Sequence, residues 1–163
     1  MFRKYTQMSY FETLYGEIVD KEKLIHVIKD HTNDLNNVLF YDLGSGYGKI
    51  CSEFHKYFMG CYGIELVKER HIYAVQHNSH PNVYFYNKNL FDVHLKSPCV
   101  VLLNNLCFGD GTNKRLSNKI LDEVNGGSLI IVTKQLHRLD DKYKSFYKIT
   151  CSWGESEIYV YKI

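Results

Sequence analysis

The chain has 163 residues, enough for one domain with a single core. Its 45% hydrophobic and 23% charged composition is that of a globular domain, and a net charge of +2 is well short of a polybasic nucleic-acid binder. No apolar run approaches the ~20 residues of a membrane helix. The N-terminal stretch MFRKYTQMSYFETLYGE lacks the apolar h-region of a secretory signal.

In chain order, NVLFYDL (37–43) is an apolar run ending in an acid, which predicts a buried strand. YGKICSEFHKYF (47–58) sets Ile50, Phe54, Tyr57 and Phe58 at helical spacing. GCYGIEL (60–66) is a second short strand, and VKERHIYAVQHNSH (67–80) a second helix. NVYFYN (82–87), CVVLLNN (99–105) and GSLIIVTK (127–134) are further strands, and NKRLSNKILDEV (113–124) is a helix between the last two. FYKITCSW and EIYVYKI close the chain as two alternating β-runs that pair antiparallel. The alternation predicts an α/β domain with a mainly parallel sheet, and a single domain over 1–163. Ligands in such sheets lie beyond the carboxyl ends of the strands, at the topological switch point. Asp42, Glu65, Asn89, Asn104 and Asn105 stand at or just past those ends and form one candidate site. The five cysteines form no CxxC pair, so reduced thiols, an intracellular protein and no metal site are expected.

YDLGSGYGKI (41–50) carries Gly44, Gly46 and Gly48 behind Asp42. The dinucleotide fingerprint GxGxxG requires its third glycine where this chain has Lys49. A pyrophosphate also disfavours a neighbouring carboxylate. A nicotinamide or flavin enzyme therefore fits less well than a ligand with a cationic head. S-Adenosylmethionine has an ammonium, a sulfonium, a ribose diol and an adenine, and no phosphate. Asp42 is suited to its cationic methionyl end. Glu65, 17 residues beyond Gly48, is suited to the ribose hydroxyls. The amide of Asn89 is suited to the adenine edge.

The end of the fourth strand, VVLLNNLCFGDG (100–111), has no Asn/Asp-Pro-Pro-aromatic motif of base-amino methylation. It also has an amide where ribose methylation needs an acid. YGE (15–17), DLGSGYG (42–48), GIE (63–65), NNLCFG (104–109), SW (152–153) and the final IYVYKI together resemble the non-SET histone-lysine methyltransferases, the disruptor-of-telomeric-silencing family, over Tyr15 to Ile163. The resemblance implies a class I, seven-strand, Rossmann-like methyltransferase fold with an antiparallel C-terminal hairpin. It implies that Tyr15, Gly16 and Glu17, in a segment of about residues 1–18, close over the cofactor. It further implies that Gly44, Ser45, Gly46, Gly48 and Lys49 follow the methionyl part, and that Asn89 with Leu90 contacts the adenine. Asn104 would then sit beside the methyl group, with Phe108, Trp153 and Tyr159 walling a lysine channel.

The chain departs from the family at Ile18, at Asn89-Leu90 and at Leu106, and either Ile158 or Tyr159 takes the channel-tyrosine position. The family also carries a helical region ahead of its cofactor loop. Only about fourteen residues precede Tyr15 here, so nucleosome recognition is expected to use other surfaces, or the substrate differs. Lys134, Arg138, Lys142, Lys144 and Lys148 in KQLHRLDDKYKSFYK (134–148) form either a solvated loop or a face for weak DNA contact. The expected protein is a monomeric histone-lysine N-methyltransferase, nuclear if it acts on chromatin, with no essential general base. The alternatives are a methyltransferase for a non-histone protein or small molecule, and a cofactor-binding module without catalysis.

Overall fold

The computed structural model describes residues 17–139 and 143–163. The first helix among the described residues, α1 (Lys21–His31), has no counterpart in the expectations above. Asp20 caps it by accepting from the Lys23 backbone N–H at 2.9 Å, and Leu24, Ile25, Val27 and Ile28 bury one face. The three-residue turn Leu35–Asn37 leads into β1 (Leu39–Leu43). There follow α2 (Lys49–Phe54), β2 (Gly60–Ile64), α3 (Lys68–His77), β3 (Val83–Tyr86) and β4 (Cys99–Leu103). The chain then runs through α4 (Asp110–Glu123), β5 (Leu129–Val132), β6 (Tyr143–Cys151) and β7 (Gly154–Lys162).

The strands make one seven-stranded sheet in the order β3-β2-β1-β4-β5-β7-β6. The pairs among β1 to β5 are parallel, and β7 is antiparallel to both β5 and β6. This is the expected α/β architecture with its C-terminal hairpin. The hairpin is longer than its alternating pattern suggested. Register runs from Tyr143↔Lys162 to Cys151↔Gly154, so part of the 134–148 segment is strand rather than loop. Within that segment, His137–Leu139 forms a short turn.

Alternate residues of the central strands feed two cores. Phe40, Val100, Leu102 and Ile131 pack with α1 and α2 on one face, while Tyr41, Leu43, Val101 and Ile130 pack with α4 on the other. The continuous apolar runs of β4 and β5 follow from burial on both faces. The order of strands reverses between β1 and β4, and the carboxyl ends of these two strands flank that switch point.

The Phe85 ring locks the glycine loop to the sheet. A Cβ at Gly48 would lie 2.6 Å from this ring, and a Cβ at Gly63 would also lie 2.6 Å from it. Two glycines therefore make room for one ring that joins β3, β2 and the start of α2. Gly63→Ala should cost about 1–3 kcal/mol by overpacking. Adding Phe85→Leu should restore part of that loss, as thermal denaturation of the single and double variants will read. Additive losses would mean that the ring and the glycine do not share this space.

Candidate functional site

The loop after β1 is built by backbone bonds to β2. Gly44 N and Ser45 N both donate to Ile64 O, at 2.7 and 3.0 Å, and Gly48 N donates to Ser45 O at 2.9 Å. Gly44, Gly46 and Gly48 all have positive φ. At Gly48, with φ of +81°, the left-handed backbone and the Phe85 contact exclude a side chain together. Glu65 completes the loop from the end of β2. Its carboxylate accepts from Gly46 N at 2.8 Å and from Val67 N at 2.9 Å. Each carboxylate oxygen keeps a further lone pair for a ligand hydroxyl.

Two acids thus lie side by side at this switch point, both nearly buried: Asp42 is 6% exposed and Glu65 is 5% exposed. The Asp42 carboxyl is pushed up to about 7, first by burial and second by the Glu65 charge. Among the described residues no hydrogen bond or cation stabilises its ionised form. The neighbouring Ser45 hydroxyl is buried without a partner among the described residues. An acid short of positive charge and a hydroxyl short of a partner fit a ligand with a cationic, hydrogen-bonding head. They do not fit a pyrophosphate. The residues present therefore suit the methionyl and ribose parts of S-adenosylmethionine.

At the end of β4 the structure separates two adjacent amides. Asn105 is fully buried and works as a clasp. Its Oδ1 accepts from Thr133 N at 3.1 Å and Lys134 N at 2.8 Å, and its Nδ2 donates to Asn113 Oδ1 and Lys134 O, both at 2.9 Å. Asn113 Nδ2 in turn donates to Phe108 O at 3.2 Å. Asn105 thereby ties β4, the start of α4 and the end of β5 together, and is taken up by the fold. Asn104 remains half-exposed at the switch point, its Oδ1 accepting from Thr133 Oγ1 at 2.7 Å. The network of Asn105, Asn113 and Thr133 was not foreseen from the sequence. The signal was the doubled amide, in which only one residue can face a ligand.

The structure divides the three expected channel aromatics. Phe108 and Tyr159 are half-buried against the α4-side core, whereas Trp153, at the tip of the β6–β7 hairpin, packs against the opposite one. Ile158 is fully buried, which leaves Tyr159 as the residue of that pair able to reach a channel. Tyr159 pairs with Val132 at the site end of β5, and its hydroxyl donates to Glu157 Oε2 at 2.6 Å. Asn89 is exposed and caps the turn Leu90–Asp92 through Phe91 N at 3.0 Å, while Leu90 packs on the α4-side core.

Tyr15 and Gly16 lie outside the described residues. Glu17 does not: its carboxylate is 2.8 Å from Lys49 Nζ, and its carbonyl accepts from Ser152 N at 2.9 Å. The segment that follows Gly16 thus passes between the hairpin tip and the glycine loop. Of the five cations singled out in the 134–148 segment, Lys142 is also outside the described residues. The other four cations contact groups of the chain itself: Lys134 meets Phe108 O and Asp110, Arg138 meets Asn118, Lys144 meets Gln135, and Lys148 meets Glu155.

No family model and no curated protein sequence matches the chain. Solved structures do. An RNA methyltransferase from Salinibacter ruber in complex with S-adenosyl-L-homocysteine is 17% identical at a TM-score of 0.67, over 86% of this chain and 90% of that one. A precorrin-6y C5,15-methyltransferase from Geobacter metallireducens is 11% identical at 0.64, over 90% and 91%. The N-methyltransferase NodS from Bradyrhizobium japonicum is 5% identical at 0.69, over 88% and 95%. The chain therefore has the class I methyltransferase fold, on structural likeness alone.

The raised Asp42 carboxyl has a consequence for stability. An unfolded aspartate titrates near 3.8, so between pH about 4 and about 7 the folded chain keeps a proton that the unfolded chain releases. Ligand-free stability should fall as pH rises through this window. Asp42→Asn removes the titration, and its melting temperature should exceed that of the wild type above about pH 7, with a flatter profile below. Thermal scans from pH 4 to 8 will check this. A wild-type profile in the variant would show that Asp42 is ionised and well paired.

Proposed function

We propose that this chain is an S-adenosylmethionine-dependent methyltransferase whose substrate is a lysine amine of a core histone. The observation that carries the cofactor is the pair Asp42 and Glu65, buried together beside the unpartnered Ser45 hydroxyl. The reading of the substrate rests on the Asn104–Gly109 motif, which resembles that of the non-SET histone-lysine enzymes, and on the half-buried aromatics Phe108 and Tyr159 beyond it.

Each residue has a part that follows from its surroundings. Asp42 supplies negative charge in a low-dielectric loop, where a cationic ligand is attracted more strongly than in water. Glu65 holds Gly46 N in place and offers its remaining lone pairs to a diol. When bound, S-adenosylmethionine supplies a methyl group activated by its sulfonium. The protein must then deliver a neutral amine in line with that group, which is a matter of alignment and desolvation. Phe108 and Tyr159 are suited to such delivery, because aromatic walls exclude water, disfavour the ammonium form of the incoming lysine and tolerate the cationic product. The NNLCFG motif itself carries no carboxylate or histidine, consistent with proton loss to solvent.

A second reading keeps the chemistry and changes the substrate. It is favoured by the fold neighbours, which by name act on RNA and on a precorrin. Incubation with methyl-labelled S-adenosylmethionine and, in parallel, nucleosomes, free histones and RNA separates the two. Label on a histone lysine is the expected result, and label on RNA alone would overturn the substrate. With the active substrate in hand, Phe108→Ala should slow transfer by about 100-fold through misplacement of the amine, with little change in cofactor affinity. Unfolding of that variant, or loss of cofactor binding with normal transfer per bound cofactor, would make Phe108 a core residue.

A further inference from the structure

The sheet ends in two edge strands, β6 and β3, and the sequence treats them differently. β6 carries Lys144 and Lys148 at alternate positions. A second copy laid antiparallel across Phe146 would set these lysines against each other, which disfavours pairing. At its far end β6 is also bridged to Ile18. β3 has no such guard. Residues 82–87 read NVYFYN, without a charge, a proline or a glycine. The backbone of this strand is open along its outer side. Cys61 N donates to Asn82 O and Glu65 N to Tyr86 O, so residues 82, 84 and 86 turn their peptide groups toward β2. Phe85 therefore turns its N–H and C=O away from the sheet, and no partner meets them among the described residues.

The side chains along this edge are apolar and exposed. Tyr84 and Tyr86 extend a row of stacked rings that starts at the buried Tyr41. Tyr41 lies 5.2 Å from Tyr62, which lies 5.1 Å from Tyr84 and 6.3 Å from Tyr86. Beside the strand, Val75 of α3 shares with Val83, Tyr84, Phe85 and Tyr86 a groove of about 350 Å³. Ile72, one helical turn before Val75, continues the apolar stripe. Ile72, Val75, Tyr84 and Tyr86 are each between 40% and 52% exposed. No lysine, arginine, aspartate or glutamate lines the groove.

We propose that β3 is the interface of a homodimer, in which two copies pair edge to edge about a two-fold axis at Phe85 and one sheet runs through both. This departs from the monomer expected from the sequence, and it is independent of the cofactor and substrate readings. With the axis perpendicular to the sheet, the strands are antiparallel and the two Phe85 residues exchange N–H···O=C bonds. Tyr84 of each copy then stands opposite Tyr86 of the other on one face, so the row of rings continues from copy to copy. Charge selects this occupant. The neutral stretch meets its own neutral stretch, and Lys88, the first charge beyond it, has Asn82 of the second copy opposite. A nucleic-acid strand would need a row of cations along the groove, whereas only Lys88 stands at its end, 5.8 Å from the Tyr86 ring. An acidic or basic peptide would find no counter-charge there. A two-fold pairing uses the β3 edge once, and the guarded β6 stops the assembly at two.

Sedimentation of the full chain from about 1 to about 200 µM, a span that covers modest interfaces, should show monomer passing to dimer. Over the same range the Phe85 backbone N–H should exchange with solvent about tenfold more slowly as concentration rises, because pairing gives it an acceptor. Tyr84→Lys and Val75→Lys each place a charge on the edge, and each should raise the dimer dissociation constant by about tenfold or more. Phe146→Lys, on the other edge, should leave it unchanged. A chain that stays monomeric throughout overturns the inference. So does a dimer that neither Tyr84→Lys nor Val75→Lys weakens, one that Phe146→Lys abolishes, or one whose Phe85 N–H exchanges as fast as in the monomer, since the interface then lies elsewhere. If Tyr84→Lys does not fold, Val75→Lys on the helix surface and the exchange of the wild type decide.

Discussion

The Glu65 carboxylate is the joint on which this site is built. It reaches from the end of β2 to Gly46 N in the glycine loop and to Val67 N ahead of α3. Bonds from backbone N–H to a buried carboxylate are worth about 1.5–3 kcal/mol each. They hold a loop of three glycines with positive φ at the carboxyl end of the sheet, where Asp42 emerges from β1. Burial raises the Asp42 carboxyl to about 7, and the second negative charge that these two bonds bring near it adds to that rise. One interaction therefore shapes the cradle and also loads it with unbalanced charge. Evolution tolerates such local cost where the strain is relieved by a ligand.

A second device stands across the switch point. Asn105 binds Thr133, Lys134 and Asn113 at once, so the loop after β4 is set by a buried polar network. Networks of this kind specify one arrangement because every member would be costly to leave unpaired. With Asn105 occupied in this way, Asn104 stands at a fixed height above the strand ends. Glu17 approaches from the other side through Lys49. The three contributions come from distant stretches of the chain and meet at the carboxyl ends of β1, β2 and β4.

Much of this was legible because it depends on local pattern. The apolar runs of β1, β4 and β5 read as buried strands, and the alternation in β6 and β7 read as a hairpin. The glycines and Asp42 identified the loop, since few ligands combine with a bare backbone and a carboxylate. What stayed hidden depends on contacts distant in sequence. Thr133 looks like the end of a strand until β5 is laid beside β4. Asn113 looks like a helix-surface residue until it is seen to bridge Asn105 and Phe108. The division of Trp153 from Phe108 and Tyr159 depends on which sheet face each residue meets, and the hairpin tip offers no periodicity to tell. Helix α1 was missed for a different reason. Its apolar residues are only Leu24, Ile25, Val27 and Ile28 among charged ones, and its cap at Asp20 stands next to an irregular stretch.

Asp42, buried near the end of β1 beside a second acid, is suited to a cationic ligand. Calorimetric titration of S-adenosylmethionine into the protein at about pH 6.5, repeated in buffers of different ionisation enthalpy, counts the protons exchanged on binding. A positive ligand arriving beside Asp42 should lower its proton affinity, so binding should release protons to the buffer, and the release should vanish in Asp42→Asn. Absence of binding, or binding by the wild type with no proton released, would contradict the account.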